Sequence, residues 1–323
     1  MFLQMTCKSI FTFRRRSGCI DRALDARAGG RPLTHQLRAW GVGFAVVSSL
    51  FLNATVTRAD DKRSYSLFNP TPDRLLRDMT TDRPDITEVP FTVDAGRVQI
   101  ESTMYGLVRS RPDNQGSVTQ GYELAGSNIR IGLTHDTEAT VMFQPYASQR
   151  ISGPHDTVHN SGIGALVLRA KFNLWGNDTF SDPGSTAFAL LPYVSLPTDR
   201  LNGISPEGID GGLMSFFIVK LGAGFSLGIN AGVHSVQDIE TTGRHFETSG
   251  SASLGYEWSE KLTTYLEVAT RLATRDPLGD IGILGGGVSY KITSNFQLDA
   301  GVNFGVTQAS YSVAPFVGVT ARF

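Results

Sequence analysis

The histidines are the residues of this chain best suited to chemistry, and their spacing argues against it. Hydrolysis needs a nucleophile, a base and an orienting group within hydrogen-bond reach. His234 is followed directly by Ser235, and neighbouring residues of a strand point to opposite faces. His234 is therefore expected to face inward or to end a strand. His155 and His159, four apart, share a face only on a helix; in a loop they could hold a surface metal, but polar loop histidines are the ordinary case. His135 and His245 are expected in a turn and a loop. Gly285-Gly286-Gly287 lacks the downstream Lys-Ser/Thr and the helix of a phosphate cradle, and glycines there relieve crowding or curve a strand. Both cysteines, Cys7 and Cys19, lie near the N-terminus, so the remainder has no disulfide framework or thiolate metal site. No catalytic, cofactor-binding or metal residue is assigned, and no cofactor is expected.

Charges at alternating positions are the better lead. Glu101, Arg130, Glu138, Arg169, Lys171 and Glu247 fall on the more polar phase of their segments, as do Glu257, Glu267, Arg271, Lys291, Asp299 and Arg322. Tyr105, Tyr146, Tyr193 and Tyr265 are expected on the same phase. If the other phase meets lipid, an outward Arg or Lys would cost about 2–4 kcal/mol at mid-membrane. The inward set would then line a lumen. Its charges either pair and fill a narrow barrel or form a polar constriction. Mixed signs give no simple anion or cation preference. The tyrosines either pack or contact an aromatic or amphipathic solute.

The elements that would carry these residues alternate with a two-residue period, the signature of strands with unlike faces. The clearest is the end of the chain, where Val313, Pro315, Val317, Val319, Ala321 and Phe323 oppose Ser312, Ala314, Phe316, Gly318, Thr320 and Arg322. Similar segments recur near 97–109, 123–134, 138–148, 164–174, 186–196, 212–221, 225–234, 246–258, 262–271, 283–292 and 296–304, making twelve. The segment 212–221 is apolar on both faces. Connections alternate between short turns, such as His135–Thr137, Gly222–Gly224, Ser259–Lys261 and Thr293–Asn295, and long polar loops. That rhythm belongs to membrane-spanning barrels. Trp175–Ser185 breaks it, a long connection where a tight turn is expected, so ten or fourteen strands stay open. A soluble β-sandwich also alternates, but its outer face should be richer in charge than the Ser, Gly, Thr and Asn found here.

Composition agrees. Charged residues are 18% of the chain and glycine contributes 35 residues. No segment after residue 60 approaches the roughly 18 apolar residues of a spanning helix. Residues 1–59 hold nine of the 29 basic residues and two of the 30 acidic ones, leaving the rest at −8. An acidic chain argues against nucleic acid as a partner. Arg38 precedes an apolar run from Ala39 to Leu52, and Thr57-Arg58-Ala59 resembles a cleavage site. Residues 1–59 are expected to be a signal peptide with a long n-region or an over-extended start, the alternative being a short anchor. Residues 60–96, with Pro70, Pro72, Pro84 and Pro90, are expected to be a periplasmic lead-in or plug-like segment, and 97–323 the barrel.

Thr81-Asp82-Arg83-Pro84-Asp85-Ile86-Thr87-Glu88, followed by Val93-Asp94-Ala95-Gly96-Arg97-Val98-Gln99-Ile100-Glu101, resembles the opening of the transporter-like outer-membrane proteins grouped under the phenol-degradation meta-pathway label. Arg130-Ile131-Gly132-Leu133-Thr134 and Leu196-Pro197-Thr198 extend the resemblance to roughly residues 80–323; Asp199 after the latter departs from it. The resemblance implies a barrel of about twelve strands with an uptake role inferred by association, and no catalytic residues. Terminal Phe323 resembles the signal used by the barrel assembly machinery. Together these expectations describe an all-β, transmembrane, antiparallel up-and-down barrel, exported to the outer membrane and surrounded by its lipid. It would passively admit a small solute, aromatic and hydrophobic ones among the candidates. The alternatives are a plugged structural or surface-binding barrel and an outer-membrane hydrolase.

Overall fold

A computed structural model of the protein describes residues 62–113, 115–199, 202–206, 208–238, 243–274 and 279–323. The expected signal peptide lies outside the described residues. The strands are β1 (Val98–Ser110), β2 (Val118–Gly132), β3 (Thr137–Phe143), β4 (Tyr146–Ser152), β5 (Thr157–Gly162), β6 (Leu166–Trp175) and β7 (Thr186–Leu196). They continue with β8 (Asp210–Gly222), β9 (Phe225–Gln237), β10 (Arg244–Glu257), β11 (Leu262–Ala273), β12 (Ile281–Thr293), β13 (Phe296–Gly305) and β14 (Tyr311–Arg322). Each pairs antiparallel with its neighbours, and β1 pairs with both β14 and β2, which closes the sheet on itself. Two short 3-10 turns, Lys62–Ser64 and Asp73–Leu75, precede the first strand.

Fourteen segments occupy twelve wall positions. β2 pairs with β3 along one half and with β4 along the other, so β3 and β4 are halves of one wall strand. The break falls at Gln144-Pro145, where proline has no N–H to give the ladder. β5 and β6 are likewise halves of the next strand, separated at 163–165. The expected segments 138–148 and 164–174 thus each caught part of a longer, interrupted strand. The expectation of twelve stands because interruption adds segments and no new wall positions.

The same level of the wall holds two further irregularities. In β1 the register slips between Thr103 and Tyr105, and in β2 Ala125 adopts a positive φ of 53°. An extra residue in a strand reverses the faces of everything beyond it. Below the slip Gln99, Glu101 and Thr103 are buried; above it Val108 and Ser110 are, while Met104 and Tyr105 both lie on the exposed side. Tyr146, just past the Pro145 break, is exposed as well. Both tyrosines therefore face outward, contrary to the sequence expectation, because a strict two-residue count ran through an irregularity.

The outer face is apolar, with Leu168, Phe172, Leu254, Leu266, Val268, Leu284, Leu298 and Val317 exposed. Aromatic side chains gather at both margins. At the end with tight turns, Trp175 stacks on Phe188 at 4.9 Å, and Phe225, Tyr256 and Trp258 form a chain of rings 4.6 and 4.7 Å apart. At the other margin Tyr122 and Tyr146 are 6.2 Å apart. The tight-turn end is the periplasmic end of such barrels.

The inner face is filled by the residues preceding β1. At the end of β2, Gly132 lets this segment lie against the wall, since a Cβ there would stand 2.0 Å from the carbonyl oxygen of Asp94. Gly132→Ala is expected to lift the segment from the wall without unfolding the barrel. Protease cleavage between residues 62 and 97 should accelerate while heat-modifiable migration is retained; unchanged cleavage would mean that the close approach is not needed.

Candidate functional site

Residues 62–97 form an irregular chain whose polar groups are taken up by inward-facing side chains from most of the wall. Its tip is the motif Asp82–Glu88. Lys171 on β6 donates to Asp82 Oδ1 at 2.6 Å and to the Val89 carbonyl at 2.9 Å. Arg169, also on β6, pairs with Glu88, and Asn173 donates to the Pro90 carbonyl at 3.0 Å. From the facing wall, Asp299 on β13 accepts Arg83 Nη2 at 2.7 Å and Nε at 3.2 Å. Arg83 also donates to Thr103 Oγ1 at 2.7 Å and lies over the Phe316 ring. Glu267 on β11 accepts the Ile86 and Thr87 N–H groups at 2.9 and 3.2 Å. Thr87 reaches Ser251 on β10 at 2.9 Å.

A charge knot lies beside the tip. The Arg130 side chain on β2 has no exposed surface. It meets Glu101 at 2.9 Å and Glu138 at 3.0 Å, and donates to the Phe91 carbonyl at 2.7 Å. Glu138 accepts the Val93 N–H at 2.8 Å, so wall and segment share one network. Burying these charges is tolerable only because each is paired and hydrogen-bonded. A cavity of about 50 Å³ remains at the tip, lined by Pro84, Asp85, Asn128, Met142, Asn303 and Phe316 among others. It has room for a few waters.

At the periplasmic end the segment is gripped by the connection between β6 and β7, residues 176–185. Asn177 Nδ2 donates to Thr92 Oγ1 at 2.7 Å and to the His135 carbonyl at 2.8 Å, and its Oδ1 accepts the Thr92 N–H at 3.1 Å. Asp178 accepts Lys62 Nζ at 2.8 Å and lies 3.2 Å from His135 Nε2. The Phe91 and Phe180 rings meet edge to face at 5.2 Å. Arg77 closes the cluster, 3.0 Å from Asp94. This is why the one long connection at the tight-turn end is long: it holds the segment.

The remaining sequence candidates lie as follows. Tyr193 and Tyr265 are inward, Tyr193 with its OH 2.8 Å from His234 Nδ1 and Tyr265 buried. Glu247 is 3.4 Å from Arg271 and 3.1 Å from His245 Nε2. Arg322 donates to Asn295 Oδ1 and to the Arg77 carbonyl, both at 2.7 Å. Glu257 is exposed at the end of β10, Lys291 is partly exposed near the end of β12, and Phe323 is exposed. His245 belongs to β10 and is buried beside Asp238, and His159 belongs to β5; neither is in a loop as expected. His234 meets Ser249 across the strands at 2.8 Å rather than Ser235, whose Oγ accepts from Arg244. Ser249 lies mid-strand, paired with Gly232 on β9 and Arg271 on β11. Sequence reasoning gave no lumen role to Asp82, Arg83, Glu88, Asn177 or Asp178. The signal was charge crowded into a proline-rich stretch with no alternation.

A closed twelve-strand antiparallel barrel with an apolar outer face, aromatic margins and an inner face of paired charges is an outer-membrane protein. The chain belongs to the family described as "Putative MetA-pathway of phenol degradation", whose profile matches residues 81–323. Among solved structures it is similar to an outer membrane channel from Pseudomonas putida F1 (12% identity, 76% of this chain and 100% of that one, TM-score 0.53). Weaker likenesses are the NanC porin (9% identity, 69% and 98%, TM-score 0.45) and the translocator domain of the autotransporter NalP from Neisseria meningitidis (12%, 70% and 88%, TM-score 0.44). No curated protein matches the sequence.

Two tip carboxyls titrate in opposite directions. Burial, with the Glu267 carboxylate adding repulsion, pushes Asp85 up to about 8. Burial opposes ionisation of Asp82 as well, but Arg130, Lys171 and Arg169 outweigh it and hold that carboxyl at about 2. Asp85 therefore takes up a proton on docking, and docking weakens as pH climbs from the ordinary 3.8 towards about 8, then levels off. Asp82 acts the other way, its contribution fading as pH falls from 3.8 through about 2. Of these two carboxyls, only Asp85 titrates between about pH 5 and about pH 9. Hydrogen exchange at residues 82–88, corrected for intrinsic rates, should rise across that range in the native chain and flatten in Asp85→Asn. A slope that survives the substitution would assign it to another group.

Proposed function

We propose that this protein is an outer-membrane channel whose lumen is held shut by its own N-terminal segment and which passively admits a small solute when that segment withdraws. The observation that supports it most is the way the segment is held. Its tip is bound by discrete ion pairs and hydrogen bonds to side chains on opposite walls, and no strand of the barrel includes it. Such contacts are exchangeable for water and solute once the segment moves, whereas a sheet strand could leave only by opening the wall. Residues 62–97 are then a plug, and residues 176–185 the latch at its periplasmic root. The inward charges are the lining of the opened lumen. The reading assigns no catalytic residue and no cofactor. The partners it requires are outer-membrane lipid, the assembly machinery that acts on the strand ending in Phe323, and the solute.

A second reading, a permanently plugged structural barrel, is favoured by the buried Arg130 network, which couples wall and segment without exposed surface. Planar-bilayer recording of the refolded full chain separates the two. Asn177→Ala combined with Asp178→Ala frees the latch without altering the wall charges. That variant should open in long-lived steps, against brief and rare openings in the native chain. Folded, heat-modifiable protein that stays silent in both forms would rule out the channel and leave the structural reading.

A further inference from the structure

The inward charges that bind residues 82–88 are mixed in sequence but sorted in space. The ring of strands places β12 six positions from β6 in either direction, so the two are diametrically opposed. The inward cations Arg169 and Lys171 both stand on β6. The inward anions Glu267 and Asp299 stand on β11 and β13, the strands flanking β12. All four side chains are buried beneath the same short stretch of the segment, residues 82–88. Glu138 on β3 offsets the basic side only in part: it lies 3.7 Å from Lys171, while Arg130 on β2 engages both of its oxygens more closely, at 3.0 Å.

The segment occupies this field as a dipolar ligand would. It offers carboxylates to β6, Asp82 to Lys171 and Glu88 to Arg169. To the opposite wall it offers a guanidinium and backbone N–H groups, Arg83 to Asp299 and Ile86 and Thr87 to Glu267. Withdrawal of the segment uncovers two cations facing two anions across the waist. In a narrow pore with low-dielectric walls, opposed charges of this kind set up a transverse field. A neutral solute gains little from that field, and a singly charged ion is attracted by one wall and repelled by the other. A solute with separated charges can align with it and replace the contacts that the segment gave up.

We infer that the opened lumen selects small dipolar solutes, those carrying a carboxylate at one end and an ammonium or comparable hydrogen-bond donor at the other, with Arg169 and Lys171 receiving the anionic end and Glu267 and Asp299 the cationic end. This rests on the channel reading above and adds the chemical class of the solute. It also gives the tip motif a second role, as an internal mimic of what passes.

The test uses the full chain with its tip weakened and its wall intact, as Asp82→Asn, Arg83→Gln and Glu88→Gln together. Proteoliposome swelling is compared for β-alanine, a zwitterion, lactamide, a neutral molecule of similar size, and sodium propionate, after subtraction of protein-free vesicles. β-Alanine should enter at least about threefold faster than lactamide, and adding Lys171→Met with Asp299→Asn should bring the two to parity. Equal entry of both solutes through the weakened-tip protein would overturn the inference while leaving the channel standing. So would a preference that persists after the wall charges are removed. If none of the three solutes enters, the channel reading falls and the inference with it. Should the triple variant not refold, Arg83→Gln alone releases the Asp299 side and supports the same comparison.

Discussion

Arg130 has no exposed surface, yet it carries a full charge at the centre of the molecule. Its guanidinium is met by Glu101 and Glu138 from neighbouring strands and by a carbonyl of the N-terminal segment, with Asp82 close by at 3.5 Å. A charge held out of water costs several kcal/mol unless opposite charges and hydrogen bonds surround it. A lipid-facing wall offers it nowhere else to point, so every inward Arg, Lys, Glu and Asp must find a partner within the lumen. That requirement ties the segment to the wall. Lys171 would lack Asp82, Arg169 would lack Glu88, and Asp299 would lack Arg83 if the lumen held only side chains of the strands.

The same constraint explains how closure and opening can coexist in one structure. Paired charges are stable when dry and also stable when hydrated, which is not true of an apolar core. A plug held by Phe and Leu side chains alone would expose apolar surface on leaving, whereas this one exposes mainly charged and polar groups that water satisfies, together with the apolar cluster around Ile86. Apolar contact adds to the grip where Phe91 meets Phe180, where the Phe316 ring lies beneath Arg83, and where Ile86 clusters with Val108, Ala269, Ile281, Ile283, Tyr311 and Ala314 of the wall. Both ends of the segment are fixed by polar clusters, the tip by the walls and the root by residues 176–185. Release at the root frees the tip from a tether, because the periplasmic cluster also holds Asp94, three residues before Arg97 and the start of the barrel.

The class of fold was legible because a strand's alternation is local. Ile129, Ile131 and Leu133 against Asn128 and Arg130 declare their faces without knowledge of any other part of the chain. Reading failed where the local geometry departs from two residues per repeat. The slip after Thr103 and the break at Pro145 turned Tyr105 and Tyr146 outward, and a count continued across them inverted both. Proline at 145 was a visible signal; the slip at Met104 had none. Trp175–Ser185 was legible as an anomaly and not as a latch, since its length has meaning only beside the segment it holds.

By itself the sequence determined the antiparallel wall, its apolar outer face and the inward phase of most charges, since each follows from backbone geometry acting over a few residues. It also carried the family motif, Asp82 to Glu88, without revealing what those charges touch. Only the tertiary structure decided which charges meet. Arg83 and Asp299 are 216 residues apart, and nothing local to either records the other. It also decided that Arg169 and Lys171 on β6 face Glu267 on β11 and Asp299 on β13, because position around a closed ring depends on every strand between. Pattern along a chain is set by neighbours in sequence; complementarity across a lumen is set by closure.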